Sequence, residues 1–165
     1  MILAVDVAYS GSTATAAGVL FSAWDSTATE RTLLAEMDNV AEYERGAFYL
    51  RELPCIAKLL KEIDLPLDCI VIDGYVTLGE AASPGLGWKL WEFLDRTTPV
   101  IGVAKSEFRG TPEKAKLYRG HSSRPLFVTA VGMPLDEAKA CVAAMHGKHR
   151  LPDLLKIADR LSHSP

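Results

Sequence analysis

Met1-Ile-Leu-Ala-Val-Asp-Val-Ala8, Gly11-Ser12 and Thr13-Ala-Thr-Ala-Ala-Gly-Val-Leu-Phe21 open the chain as strand, turn and strand. The first run is apolar except for Asp6, and the second is rich in small and β-branched residues. A polar connection over Ser22–Thr29 leads to a third expected strand at Arg31–Met37. Three strands joined by short turns predict an antiparallel meander.

Working outward, the pattern changes. Leu53, Ile56, Ala57, Leu60 and Ile63 fall on one face of a helix expected over Leu53–Ile63. Pro54 fits only the first turn of such a helix, so Glu52 is expected at its start. Cys69-Ile-Val-Ile-Asp-Gly74 is a short apolar run ending in a turn, which suits a buried parallel strand. Tyr75–Gly85 reads as a loop and Leu86–Leu94 as a helix. Pro99–Ala104 reads as a second buried strand ending at Lys105. A strand at Leu126–Val131 and helices at Leu135–Met145 and Pro152–Leu161 complete the order. The expectation is one α/β domain over residues 1–165: a mixed sheet, antiparallel meander plus parallel strands, with helices on both faces.

Composition narrows the class. With 165 residues, 48% apolar and 24% charged, the chain suits one globular core rather than disorder or a repeat array. No apolar run reaches the roughly 18–20 residues of a membrane span, and no basic leader precedes the first strand, so a cytoplasmic protein without a membrane partner is expected. Cys55, Cys69 and Cys141 lack metal-binding spacing and read as buried thiols. The net charge of −3 is unevenly spread: residues 1–102 carry 7 Lys/Arg against 15 Asp/Glu, and residues 103–165 carry 11 against 6. Lys105, Arg109, Lys114, Lys116, Arg119 and Arg124 crowd one segment, either a solvated loop or a footprint for a polyanion.

Asp6 lies within an apolar strand and Asp73 ends the most apolar one; burying either as an anion is costly without a cation or donors. If these strands are neighbours, the two carboxylates can share a divalent ion, and Glu52 would supply a third oxygen donor. Singly, each has an ordinary reading: a core Asp paired with Lys or Arg, a turn Asp, a first-turn Glu favoured by the helix dipole. Lys105, at the mouth of the sheet, can pair with these acids or meet a phosphate. His146 and His149 have metal-like spacing, but Gly147 breaks the helix between them and no carboxylate or Cys accompanies them in that reading. P-loop, dinucleotide and serine-esterase motifs are absent.

Taken together, five stretches resemble the endonuclease V family. They are Leu3-Ala-Val-Asp-Val-Ala-Tyr9, Tyr43-x-x-Gly46-x-x-x-x-Arg51-Glu52-x-Pro54, Asp68-x-x-x-x-Asp73-Gly74, Pro99-x-Ile-Gly-Val-Ala-Lys105 and Arg150-Leu-Pro-x-x-x-x-x-Ala158-Asp159. The resemblance implies a ribonuclease H-like fold and Mg²⁺- or Mn²⁺-dependent cleavage of DNA or RNA near deaminated purines, chiefly inosine. By the same resemblance Asp6, Glu52 and Asp73 are metal ligands and, with Lys105, catalytic. Tyr43 matches the wedge that separates the lesion base, with Gly46 in the same motif. Arg109, Lys114, Lys116 and Arg119 are expected to contact phosphates.

The chain departs from the family where Gly-His-Gly and His-Pro-Arg usually follow the second Asp: here Tyr75–Gly85 holds neither His nor Arg. Gly132-Met133 stands where the family has Gly-His, and Glu42 and Arg45 replace prolines beside Tyr43. These changes predict weaker or less inosine-selective cleavage, the alternative being a re-targeted or non-catalytic nucleic-acid-binding descendant.

Overall fold

A computed structural model describes residues 1–38 and 49–164; Tyr43 and Gly46 lie outside the described residues. The meander forms as its alternation and turns require. β1 (Ile2–Ser10) pairs antiparallel with β2 (Thr13–Phe21), and β2 with β3 (Arg31–Met37). Helix α1 (Tyr49–Leu60) follows. It begins before the expected Leu53, so Pro54 sits inside it while Glu52 falls in its first turn. Pro54 is exposed, and α1 is held by burying Cys55, Ile56 and Leu59 rather than by propensity.

β4 (Cys69–Asp73) then inserts beside β1 in parallel, with Ile2 opposite Cys69 and Val5 opposite Ile72. The expected loop after it contains a small two-stranded ribbon, β5 (Thr77–Leu78) with β6 (Ser83–Pro84). Helix α2 (Leu86–Phe93) leads to β7 (Val100–Ala104), parallel to β4. Gly102 of β7 leaves room for the chain leaving β4: a Cβ there would lie 2.5 Å from the Gly74 carbonyl oxygen. Val76 N–H, passing over the same spot, donates to Thr129 Oγ1 at 2.8 Å.

Between β7 and the next long strand lie only a 3-10 turn (Glu113–Ala115) and the short β8 (Lys116–Leu117). No helix carries the chain back across the sheet there, so β9 (Leu126–Val131) returns antiparallel to β7 and pairs with β8 at the edge. The sheet order is β3-β2-β1-β4-β7-β9-β8. Helices α3 (Leu135–Ala144) and α4 (Asp153–His163) close the fold. This is the mixed sheet that the order of elements predicts, in the ribonuclease H-like arrangement that the family resemblance implies.

Strand alternation divides the core between the two faces. Leu3, Val5, Ile70 and Ile72 pack with Cys55, Ile56 and Leu59 of α1 and Leu90 of α2. Ile2, Ala4, Cys69, Val71, Ile101 and Val103 pack with Ala138 and Val142 of α3 and Leu154 and Ala158 of α4. Among the described residues no helix is long and apolar enough to cross a membrane.

One expectation from the basic segment is overturned. Arg119 is buried, and its guanidinium faces inward: Nη1 donates to the carbonyls of His149 and Arg150 at 2.7 and 3.1 Å, and Nη2 to those of Met145 and Gly147 at 2.6 and 3.2 Å. The irregular turn between α3 and α4 leaves these carbonyls without helical partners, and a buried carbonyl needs a donor. Arg119 is therefore a structural clasp, with its fork turned away from any phosphate. Arg119→Met is expected to destabilise the protein by about 3 kcal/mol, since a charged donor serves four acceptors. That corresponds to a fall in unfolding temperature of about 6–12 °C by calorimetry.

Candidate active site

Parallel register builds the centre of the site. Val5 opposite Ile72 makes Asp6 and Asp73 the next residues of two adjacent strands, at the end where β4 leaves the sheet. Asp6 continues the Ile2, Ala4 side of β1, and Asp73 the Cys69, Val71 side of β4, the face covered by α4. Lys105, just past β7, shares that alternation with Ile101 and Val103.

Lys105 Nζ stands between two carboxylates, 3.0 Å from Asp73 Oδ2 and 3.1 Å from Asp159 Oδ1. Burial pulls its ammonium down, but Asp73 and Asp159 outweigh that, and its pKa lies above the ordinary lysine value. Asp6 is buried and accepts a hydrogen bond from Ser162 Oγ at 2.5 Å. Burial pushes its carboxyl up; the Ser162 bond opposes this and the nearby Asp73 adds to it, leaving a pKa of about 6. Glu52 approaches from α1. Burial, then the charges of Asp73 and Asp6, push its pKa up to about 8, against the opposing pull of Arg51. The Arg51 guanidinium itself lies 4.0 Å from the centre of the Tyr9 ring, a cation–π contact.

The structure thus brings Asp6, Glu52, Asp73 and Lys105 together. It adds three residues from α4. Leu154, Ala158 and Ser162 repeat at a spacing of four and form the buried stripe of that helix, which delivers Ser162 to Asp6. One position on, Asp159 and His163 share a helix face. Ligand-type atoms of Asp6, Asp159 and His163 lie within 4.8 Å of one another. The motif around Ala158 already contains Asp159; the i, i+4 pairing of Asp159 with His163 was the signal for the histidine. His146, by contrast, pairs with Asp153 at 3.0 Å and takes no part.

The donor set fits a hard divalent cation. Asp6, Glu52 and Asp73 offer oxygen ligands of the kind Mg²⁺ and Mn²⁺ prefer, and Asp6 and Glu52 are held above their ordinary pKa by burial and neighbouring acids. A cation among them relieves both. Among the described residues, however, the ligand atoms close enough to share one ion are those of Asp6, Asp159 and His163.

The remaining expectations divide. Arg109 and Lys114 are exposed on the segment after β7, whereas Lys116 is 2.7 Å from Glu113. Met133 is not a site position: antiparallel β9, with Val131 opposite Val100, carries it to the other end of the sheet, beside Trp24, Pro99 and Cys141. A histidine there would not reach the acids. Next to the acids is a cavity of about 270 Å³, lined by Glu52, Asp73, Tyr75, Leu78, Leu86 and Phe108 among others.

The family model described as endonuclease V matches residues 1–129, well over half of the chain. The chain belongs to the endonuclease V family. It is 34% identical to endonuclease V of Thermococcus kodakarensis over 161 residues, covering 96% of this chain and 76% of the relative. The crystal structure of endonuclease V from Bacillus subtilis superposes with a TM-score of 0.82 at 21% identity, covering 98% of this chain and 78% of that one. Ciona intestinalis endonuclease V, solved in complex with a 24-mer DNA containing an inosine followed by a ribo-adenosine, gives 0.79 at 21% identity, with 98% and 83% covered. These two likenesses establish the shared fold, and family membership makes the chain a nuclease, a hydrolase of phosphodiesters.

The raised carboxyls predict a pH dependence. Asp6 and Glu52 bind protons more tightly folded than unfolded, so without metal their contribution is full below about pH 4 and is lost as pH rises through about 6 and then 8. The unfolding temperature of the metal-free protein should therefore fall between pH 5 and pH 9 where these groups dominate. Mn²⁺, which replaces the protons, should flatten that fall; scanning fluorimetry with EDTA and with Mn²⁺ compares the two slopes.

Proposed function

We propose that the chain, acting as a single domain, is a metal-dependent endonuclease that hydrolyses DNA or RNA near deaminated purines, inosine foremost. The observation that carries the reading is the pair Asp6 and Asp73 on adjacent parallel strand ends, with Glu52 and Lys105 beside them. The inosine-containing DNA bound by the Ciona relative supports the substrate class.

Asp6, Glu52 and Asp73 would hold Mg²⁺ or Mn²⁺ in this reading, and Asp159 and His163, whose ligand atoms cluster with Asp6, could share in holding it. When bound, such an ion polarises the scissile phosphate and makes an attacking water more acidic. Glu52, which keeps a proton near neutral pH, releases it as it becomes a ligand. Lys105, fixed by Asp73 and Asp159, offsets charge that develops on the phosphoryl oxygens. The cavity beside Glu52 receives the extruded base, at an unstacking cost that is lower for a mispaired one. Arg109 and Lys114 contact the strand through its phosphates. Three free cysteines support the cytoplasm as the place of action.

The loop from Tyr75 to Gly85, without histidine or arginine, favours relaxed selectivity over the loss of chemistry, because the acids and Lys105 remain in place. Labelled inosine-containing DNA and RNA should be cut with Mg²⁺ or Mn²⁺ and left whole with EDTA on a denaturing gel. Asp73→Asn should slow cleavage about 10³-fold or more, as expected for loss of a metal ligand. Inactivity of the folded protein with every metal and substrate would leave the non-catalytic alternative.

Phosphate contact has a separate signature. Replacing Arg109 and Lys114 together by Ala should weaken oligonucleotide binding and reduce the slope of log affinity against log salt by about 2. An unchanged slope in anisotropy titrations would remove these two residues from the interface.

A further inference from the structure

One side chain ties the loop after β4 to the loop after β7. Tyr75 Oη donates to the Ser106 carbonyl at 2.7 Å and accepts from the Phe108 N–H at 2.9 Å. Its single donor and one of its lone pairs are thereby used. The Phe108 ring stands at 60° to that of Tyr75, centroids 6.1 Å apart, the edge-to-face arrangement that aromatic pairs favour. Backbone packs the same two loops: a Cβ on Gly79, at φ +69°, would lie 3.2 Å from the Arg109 carbonyl oxygen. Phe108 nevertheless stays 37% exposed while lining the cavity. An exposed aromatic ring is thus held at the cavity by a polar latch on its own backbone.

Among the described residues, the side chains lining the cavity include no amide, imidazole or guanidinium; the polar ones are Glu52, Asp73, Tyr75 and the exposed Ser106 and Glu107. Glu52 and Asp73 belong to the acid cluster, and the Tyr75 hydroxyl is committed to the latch. The backbone N–H groups of Gly74 and Gly85 are already bonded, to the carbonyls of Val103 and Val76.

We propose that Tyr75 is a positioning residue that fixes Phe108 as the stacking wall of this cavity, so that the cavity takes an unpaired base by its flat face more than by its edge. The proposal rests on the nucleic-acid reading above and deepens it. The substrate class becomes strands that present one unstacked base, with inosine as one case among several. Stacking tolerates base identity because every base has a π-face.

The test uses fluorescent duplexes with one bulged nucleotide: inosine, adenine or an abasic tetrahydrofuran. Binding is followed by anisotropy, with Ca²⁺ in place of Mg²⁺ or Mn²⁺ to keep the strands whole. The unaltered protein should bind both bulged bases about tenfold more tightly than the abasic bulge, and within about threefold of each other, as stacking on one aromatic allows. Tyr75→Phe, which keeps the ring and removes the latch, should shrink the base-to-abasic gap to about threefold or less while abasic binding and unfolding temperature hold. Phe108→Leu should shrink it likewise with the latch intact. A gap that survives both variants, or binding to all three duplexes lowered by one common factor, overturns the proposal. Inosine preferred over adenine by about tenfold or more also overturns it, yet leaves the nucleic-acid reading standing. Failure of the unaltered protein to bind any of the duplexes overturns both.

Discussion

Two carboxylates at the ends of neighbouring parallel strands, screened from water by a packed helix, must find positive charge nearby. That requirement organises this end of the molecule. Lys105 supplies one cation, shared between Asp73 and Asp159, and the Ser162 hydroxyl supplies a donor to Asp6. Glu52 has neither among its chief influences; Arg51 lowers its pKa only in part against burial and two other acids. The deficit of positive charge is therefore greatest around Glu52 and Asp6. A lysine relieves it locally, and a divalent ion relieves it for the whole group. The same shortage that makes these residues a burden to the folded chain is what a bound cation would relieve.

Much of this arrangement was legible in the order of residues. A strand with a single acid, a meander built by short turns and an apolar run ending in Asp73-Gly74 are local patterns, and local patterns survive folding. The acids of β1 and β4 were legible as candidates because burying them is costly. What was not legible depended on direction and distance. The guanidinium of Arg119 reads as surface charge in a basic segment until the turn between α3 and α4 comes beneath it with carbonyls in need of donors. Gly132-Met133 reads as a position near the site until the lack of a crossover helix turns β9 antiparallel. Pro54 marks a helix start by its chemistry, yet tertiary burial of Cys55, Ile56 and Leu59 carries the helix past it.

The basic segment shows how charge counting and geometry part company. Of the cations between Lys105 and Arg119, one holds acids, one clasps carbonyls, one faces Glu113, and Arg109 and Lys114 stand exposed. A patch that looks uniform along the chain divides into internal fasteners and an external pair. Arg150 extends the pattern, donating to the carbonyls of Lys105 and Pro125. Arginine suits this work because its fork serves several acceptors at once. The turn between α3 and α4 and the chain just past β7 are thus held partly by charge used inside the protein.

The hydrogen bond from Ser162 to Asp6 joins residues 156 positions apart. The first strand is thus finished by a helix near the other end of the sequence, and a contact of that span is among the last that a folding chain can make cheaply. A nascent or proteolytically clipped chain without α4 would have its sheet but not Asp159 or Ser162, and its acid pair would lie open to water. The acid pair is enclosed only once α4 has docked, so this end of the sheet is the part of the fold that the chain completes with its last helix.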